Sequence, residues 1–189
     1  MIYNIYTDGS VKRNGNNGSI GGYAFIVTDG YGCLVDAYAK TGIENTTNNR
    51  MELTAILAAL FMYQKRMRTS KDEGAHINLY SDSAYALNAL FQWSISWANN
   101  DWKTASGQKV KNQDLIKNFY DKQWGVYQKN IQLNKRDSWR NFIYNYVKGH
   151  EGNPGNELAD KLATGELTPD KLVKGQPIIS PSNHMELIF

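Results

Sequence analysis

Ile2-Tyr3-Asn4-Ile5-Tyr6-Thr7-Asp8-Gly9-Ser10 opens the chain and sets its fold. Isoleucine and tyrosine favour an extended backbone, which predicts a strand from Ile2 to Thr7 and a turn at Asp8-Gly9. Beyond it comes a polar, glycine-rich loop, Asn14 to Gly18, and then a second strand from Gly21 to Thr28. Asp29-Gly30 is a hairpin signal that leads into a third strand from about Gly32 to Lys40, completing an antiparallel meander. The period then changes. Met51, Ala55, Ala58 and Met62 recur at helical spacing, as do Leu53, Leu57 and Leu60, behind a Thr/Asn-rich start that can cap a helix. Further on, Ala75 to Ser81 reads as a strand ending at Asp82, Ser83 to Trp93 as a helix, and about Asp114 to Tyr127 as another. Phe142 to Val147 reads as the last strand, and Gly155 to Thr164 as a short helix stopped by Gly165. This order predicts an α/β domain, residues 1–165, with a mixed five-stranded sheet of three antiparallel and then parallel strands flanked by helices. The tail, 166–189, holds three of the four prolines and is expected to be either flexible or docked through its apolar end.

A chain of 189 residues that is 41% hydrophobic has room for one proper core and too few polar runs for intrinsic disorder. Cys33 is the only cysteine, which excludes an intramolecular disulfide and a multi-cysteine zinc site and fits a reducing compartment. No apolar run reaches the roughly 18–20 residues that span a bilayer, and the start has no secretion-signal pattern, so a soluble, cytoplasmic, monomeric protein is the expectation. The net charge of +3 conceals an asymmetry. From Trp102 to Lys148 ten Lys or Arg face three Asp, a local +7, and the remainder carries −4. All five tryptophans lie in or just before that segment, and cations interleaved with flat rings suit phosphates and sugar or base faces.

Four acids stand at or near element ends. Asp8 and Asp82 close the first and fourth strands, Glu52 lies in the first turn of the first long helix, and Asp160 lies in the final short helix. If the two strands are parallel neighbours, their carboxylates meet at one sheet edge, where open α/β sheets place their ligand crevices. Four acids around one crevice need compensating cations, and oxygen-only ligands suit Mg²⁺ or Mn²⁺ rather than zinc. Each acid alone also fits a plain role as a turn, cap or helix-dipole residue.

Four segments in order carry a family resemblance: Tyr6-Thr7-Asp8-Gly9-Ser10; Thr46-Thr47-Asn48-Asn49-Arg50-Met51-Glu52-Leu53; Ser81-Asp82-Ser83-Ala84-Tyr85; and Val147-Lys148-Gly149-His150 followed by Gly152-Asn153-Pro154-Gly155-Asn156-Glu157 and Asp160. Together they resemble ribonuclease H of type 1 over about residues 1–164. The resemblance implies an endonuclease that cuts the RNA strand of an RNA–DNA hybrid and leaves 5′-phosphate and 3′-hydroxyl ends. It implies that Asp8, Glu52, Asp82 and Asp160 ligate two Mg²⁺ ions, with Mn²⁺ as a substitute, and that His150 assists proton transfer or product release. An imidazole with an ordinary pKa near 6.5 suits that work.

A nuclease specific for one strand of a hybrid must sense 2′-hydroxyls. Asn48 and Asn49 carry amides that can donate to and accept from such a group. The resemblance further implies that Thr47 and Asn112 hold a phosphate of the DNA strand, and that the stretch from Trp93 to Asn112 is a basic protrusion in which Trp102 and Lys103 contact the hybrid. Three departures bear on this. Ala84 replaces a longer polar side chain, Asn99-Asn100-Asp101 stand where basic residues are usual, and the segment from 113 to 146 is long. Its Lys129, Lys135, Arg136, Trp139 and Arg140 are candidates for replacing the missing contacts. Rival readings are another nuclease of the same superfamily and a catalytically inactive hybrid-binding module. The Thr-Thr-Asn-Asn run with a fourth acid opposes an integrase-type core, and Ser10 two residues past Asp8 opposes a proofreading exonuclease.

Overall fold

A computed structural model of the chain describes residues 1–13, 18–69, 74–133, 139, 141–149 and 152–179. Strands β1 (Ile2–Arg13), β2 (Ser19–Asp29) and β3 (Leu34–Glu44) form the expected meander. Helix α1 (Asn48–Thr69) leads to β4 (His76–Ser81), and β5 (Phe142–Tyr146) completes the sheet. The strand order is β3-β2-β1-β4-β5, with β1/β2 and β2/β3 antiparallel and β1/β4 and β4/β5 parallel.

Between β4 and β5 the chain is helical. α2 (Ala84–Asn88) passes through a π-helical turn (Ala89–Trp93) into α3 (Ser94–Ala98). Likewise α4 (Gln113–Phe119) passes through a second π-helical turn (Tyr120–Trp124) into α5 (Gly125–Gln132). Both helical stretches therefore run further than the sequence predicts. The final helix, α6 (Pro154–Thr164), is capped by the Asn153 side chain, which accepts from Asn156 N–H at 3.1 Å, and is closed by Gly165 in the left-handed region. No described helix is long and apolar enough to cross a membrane.

The turn expected at Asp8-Gly9 is absent. β1 continues to Arg13, paired with β2 through Asp8–Ala24, Gly9–Tyr23 and Ser10–Gly22 to Arg13–Ser19. Its alternation sorts the two faces of the sheet. Tyr3 and Ile5 point into the larger core, formed with α1, α2, the π-helical turns and the aromatics Phe119, Trp124 and Trp139. Tyr6 points to the other face, where it stacks on Tyr80 at 4.9 Å and packs with Ala159 of α6. Ala24, Ile26 and Leu34 extend this second layer against Leu162 and Ala163.

Residues 166–179 run back along the meander. Leu34 N–H donates to Gln176 O at 2.9 Å, Gly175 N–H to Leu34 O at 2.8 Å, and Ile178 N–H to Gly32 O at 3.0 Å. Ile179 is buried among Tyr6, Tyr80, Val147 and Ala159. This strap covers the start of β3, which would otherwise be an open sheet edge. The apolar end at Met185, Leu187, Ile188 and Phe189 lies outside the described residues.

Candidate active site

Because β1 and β4 are parallel neighbours with Thr7 opposite Ser81, the next residues, Asp8 and Asp82, come side by side. α1 brings Glu52 to the same point. It approaches so closely that a Cβ on Gly9 would lie 2.2 Å from Glu52 N and 2.3 Å from Met51 C. A glycine inside a strand therefore marks a backbone contact here, not a turn. α6 brings Asp160, and Asp8, Glu52, Asp82 and Asp160 line one cleft of about 210 Å³ together with Ser10 and Asn48. One carboxylate oxygen from each of Asp8, Glu52 and Asp82 lies within 4.8 Å of the other two.

The electrostatics are those of crowded acids. Burial, then the Asp82 and Asp160 charges and a hydrogen bond with Asp160, push the Asp8 carboxyl up to about 8. Burial, then Asp8 and Asp82, push Glu52 up to about 10, with the Gly9 amide offsetting part of the rise. Glu52 Oε2 is buried and has no hydrogen-bond partner. A buried, unpartnered carboxylate oxygen facing other carboxylates is costly unless a cation joins them, so the donor set fits a hard divalent ion. Asp82 is fixed from behind. Asn156 Nδ2 donates to its Oδ2 at 3.1 Å, and a Cβ on Gly149 would stand 2.7 Å from that same oxygen. Sequence reading missed Asn156. Its signal is an amide four residues before Asp160, one helical turn away on the same face.

Asn48 lines the cleft beside Glu52, and Asn49 is exposed next to it. Thr47 caps α1, its Oγ1 accepting from Arg50 N–H at 3.3 Å. Asn112 takes a left-handed backbone at the start of α4, and its Nδ2 donates to Tyr85 Oη at 3.4 Å. Arg50 and Asp114 form a two-pronged ion pair, one prong at 3.0 Å, that ties the beginnings of α1 and α4 together. Thr47 and Asn112 are thus carried by two fastened helix starts. Lys103 is exposed on a short hairpin bridged to Lys109. Trp102 is only 8% exposed. Its ring packs edge-on to Tyr120 and lies under Lys117 Nζ, so its face is committed to the core side. Trp93 is the more open ring at 40% exposure, meeting Tyr85 edge-on and Trp97 at a tilt. His150, Lys135, Arg136 and Arg140 lie outside the described residues.

An α/β sheet of this order, with four carboxylates from two strands and two helices at one edge, matches the ribonuclease H-like arrangement that the sequence resemblance implies. The ribonuclease H family profile matches residues 2–168. A ribonuclease H of Clostridium botulinum is 39% identical over 160 residues, covering 84% of this chain and 91% of that one. One of Francisella philomiragia is 37% identical over 166 residues, covering 86% and 91%. Among solved structures, the ribonuclease H domain of prototype foamy virus shares the fold with a TM-score of 0.60 at 18% identity, over 86% of this chain and 92% of that one. LC11-RNase H1, solved in complex with an RNA/DNA hybrid, has a TM-score of 0.53 at 21% identity, over 89% and 97%. The chain belongs to the ribonuclease H family, and its architecture is that of type 1.

Proposed function

We propose that this chain hydrolyses the RNA strand of RNA–DNA hybrids at the Asp8–Glu52–Asp82–Asp160 cleft, leaving 5′-phosphate and 3′-hydroxyl ends, with two Mg²⁺ ions or Mn²⁺ in their place. The observation that carries this reading is the convergence of four acids from four separate elements, one of them with an unpartnered buried oxygen. Divalent cations held there supply an activated water and charge to stabilise the departing oxygen. The protein's own contribution is positional. Gly9 lets α1 close on β1, Asn156 fixes one face of Asp82, and the sheet sets the Asp8–Asp82 spacing. Asn48 stands where a 2′-hydroxyl beside the cut can exchange hydrogen bonds with its amide, and Asn49 extends that edge. Thr47 and Asn112, held by the Arg50–Asp114 clamp, are assigned to a phosphate of the DNA strand. Lys103 and the exposed Trp93 are assigned to the outer grip on the duplex, and His150 to proton transfer or product release. A complete carboxylate set within one chain and a single cysteine support a monomer working in the cytoplasm.

The test is cleavage of an end-labelled RNA–DNA hybrid with Mg²⁺ beside matched duplex DNA and duplex RNA. The native chain is expected to cut only the RNA of the hybrid, and Asp8→Asn or Asp82→Asn to abolish cutting. A native chain that binds the hybrid without cutting it is instead a binding module. Equal cutting by the Asn variants would move the chemistry elsewhere.

A further inference from the structure

β1 alternates, so Tyr6, Asp8, Ser10 and Lys12 project from the face that α6 covers. α6 ends at Thr164, turned away by the left-handed Gly165, while β1 and β2 continue on to Arg13 and Ser19. The sheet therefore runs out from under its helix. Over the bare stretch lies a second cleft, of about 370 Å³, lined among others by Ser10, Lys12, Arg13, Gly22, Thr41 and Thr164. Gly22 lets the end of α6 close directly on β2 at its inner margin. A Cβ on Gly22 would stand 2.2 Å from Ala163 O. Ser10 lines both this cleft and the carboxylate cleft, so the two are continuous along one face of β1.

The chemistry of the second cleft is opposite to that of the first. None of its lining residues is acidic. Among the described residues neither Lys12 nor Arg13 is paired with a carboxylate. The carbonyl end of α6 opposes an anion there by about half a charge, which the full charge of Lys12 alone outweighs about twofold, with Arg13 at the strand end adding to it. Lys12 lies four residues past Asp8, roughly 13 Å along an extended strand. At about 3.4 Å of duplex axis per phosphate on each strand, that reaches about four nucleotides from the cleavage point.

We propose that the Lys12–Arg13 cleft is a second nucleic-acid subsite, which takes the phosphate backbone of the RNA strand about four nucleotides from the cut, on the face of the sheet away from α1. The proposal rests on the hybrid-cleaving reading, and native cleavage of the hybrid is the control that separates the two. Two contacts of this kind carry a salt slope of roughly 1.8 in log affinity against log salt. The subsite also sets a minimum footprint, since an RNA strand that stops short of the cleft forgoes its contribution.

The experiment compares the native chain, Lys12→Gln/Arg13→Gln, the conservative Lys12→Arg/Arg13→Lys, and Lys171→Ala as an exposed charge control. Hybrid binding is measured across salt concentrations with cation-free protein, and KM is measured on hybrids whose RNA strand is long or ends two nucleotides past the cut. On the long hybrid the Gln variant is expected to raise KM about fivefold and to flatten the salt slope by one to two units, with the conservative variant near native. On the truncated hybrid the native chain should already show the raised KM, and the Gln variant should lose nothing further. A neutral methylphosphonate about four nucleotides from the cut should mimic the Gln variant when placed in the RNA strand. An unchanged salt slope, a loss equal to that of Lys171→Ala, a penalty that persists on the truncated hybrid, or a methylphosphonate effect confined to the DNA strand would each overturn the proposal.

Discussion

At Gly9 and Asn156 single residues set the geometry of the carboxylates without supplying one. A methyl on Gly9 would meet the Glu52 amide at 2.2 Å, a backbone atom that cannot swing aside. Gly9→Ala is therefore expected to cost about 1–3 kcal/mol by overpacking and to push Glu52 off the cleft. Urea denaturation and cleavage rates check both parts, and native stability with native rates would show that α1 can yield. Asn156 donates to Asp82 from a position that is itself buried, and its Oδ1 has no partner. Asn156→Ala should raise the Mg²⁺ concentration for half-maximal cleavage by about 10–100-fold, the usual cost of losing an outer-shell hydrogen bond to a ligand. The same residues mark the limit of sequence reading. Asp8, Glu52 and Asp82 were legible because each closes or opens a predicted element, whereas Asp160, inside the last helix, was singled out by the motif around it. Gly9 was misread as a turn residue, because a turn glycine and a close-approach glycine look identical until the opposing helix is in place. Trp102 presents the same problem. An aromatic ring beside lysines suits either a surface or a core, and only the left-handed backbone at Asp101-Trp102, which turns the ring inward, decides it.

Among the elements, the number and type of strands were legible in β-propensity and turn residues, whereas the spatial order that makes β1 and β4 neighbours was left open. Element ends were less accessible. β3 was predicted to stop near Lys40 and runs to Glu44, because its pairing with β2, not its own composition, sets its length. The two π-helical turns, at Ala89–Trp93 and Tyr120–Trp124, have no signature in residue type. They lie where Phe91, Phe119 and Trp124 crowd into one aromatic cluster, with Trp124 Nε1 donating to Phe91 O at 3.0 Å. The strap after α6 has a testable role. Ile179 sits between the stacked Tyr6–Tyr80 pair and Ala159, which is adjacent to Asp160 on α6. Ile179→Ala is expected to lower unfolding free energy by about 2–4 kcal/mol, measured by chemical denaturation, with the truncated side chain leaving a cavity against α6. A change below about 0.5 kcal/mol would mean that the strap lies on the domain without supporting it.

On the scale of the whole molecule, a formal charge of only +3 divides into +7 between Trp102 and Lys148 and −4 over the rest of the chain, which includes the four acids of the cleft. The acidic part makes a prediction about stability as well as activity. Without a divalent cation, Asp8 is raised to about 8 and Glu52 to about 10, against roughly 3.9 and 4.3 in an unfolded chain. Between about pH 4 and pH 8 the native state therefore holds protons that the unfolded state has released. Stability must fall as pH rises through that window, and below it the contribution is complete because both states are protonated. A cation that binds the ionised cluster stabilises the native state by an amount that grows with its concentration over its dissociation constant, so the fall should flatten when it is added. Thermal melts at pH 5, 6, 7 and 8, with chelator and with millimolar Mg²⁺ or Mn²⁺, read this directly. The difference between the native chain and Asp8→Asn isolates the cluster from other titrating groups. With chelator the Asn variant should gain on the native chain as pH rises, and with the cation it should lose that advantage. If the native chain keeps pace with Asp8→Asn from pH 5 to 8 in chelator, the four acids do not repel one another as their spacing requires. The cleft would then not depend on a cation for its charge balance.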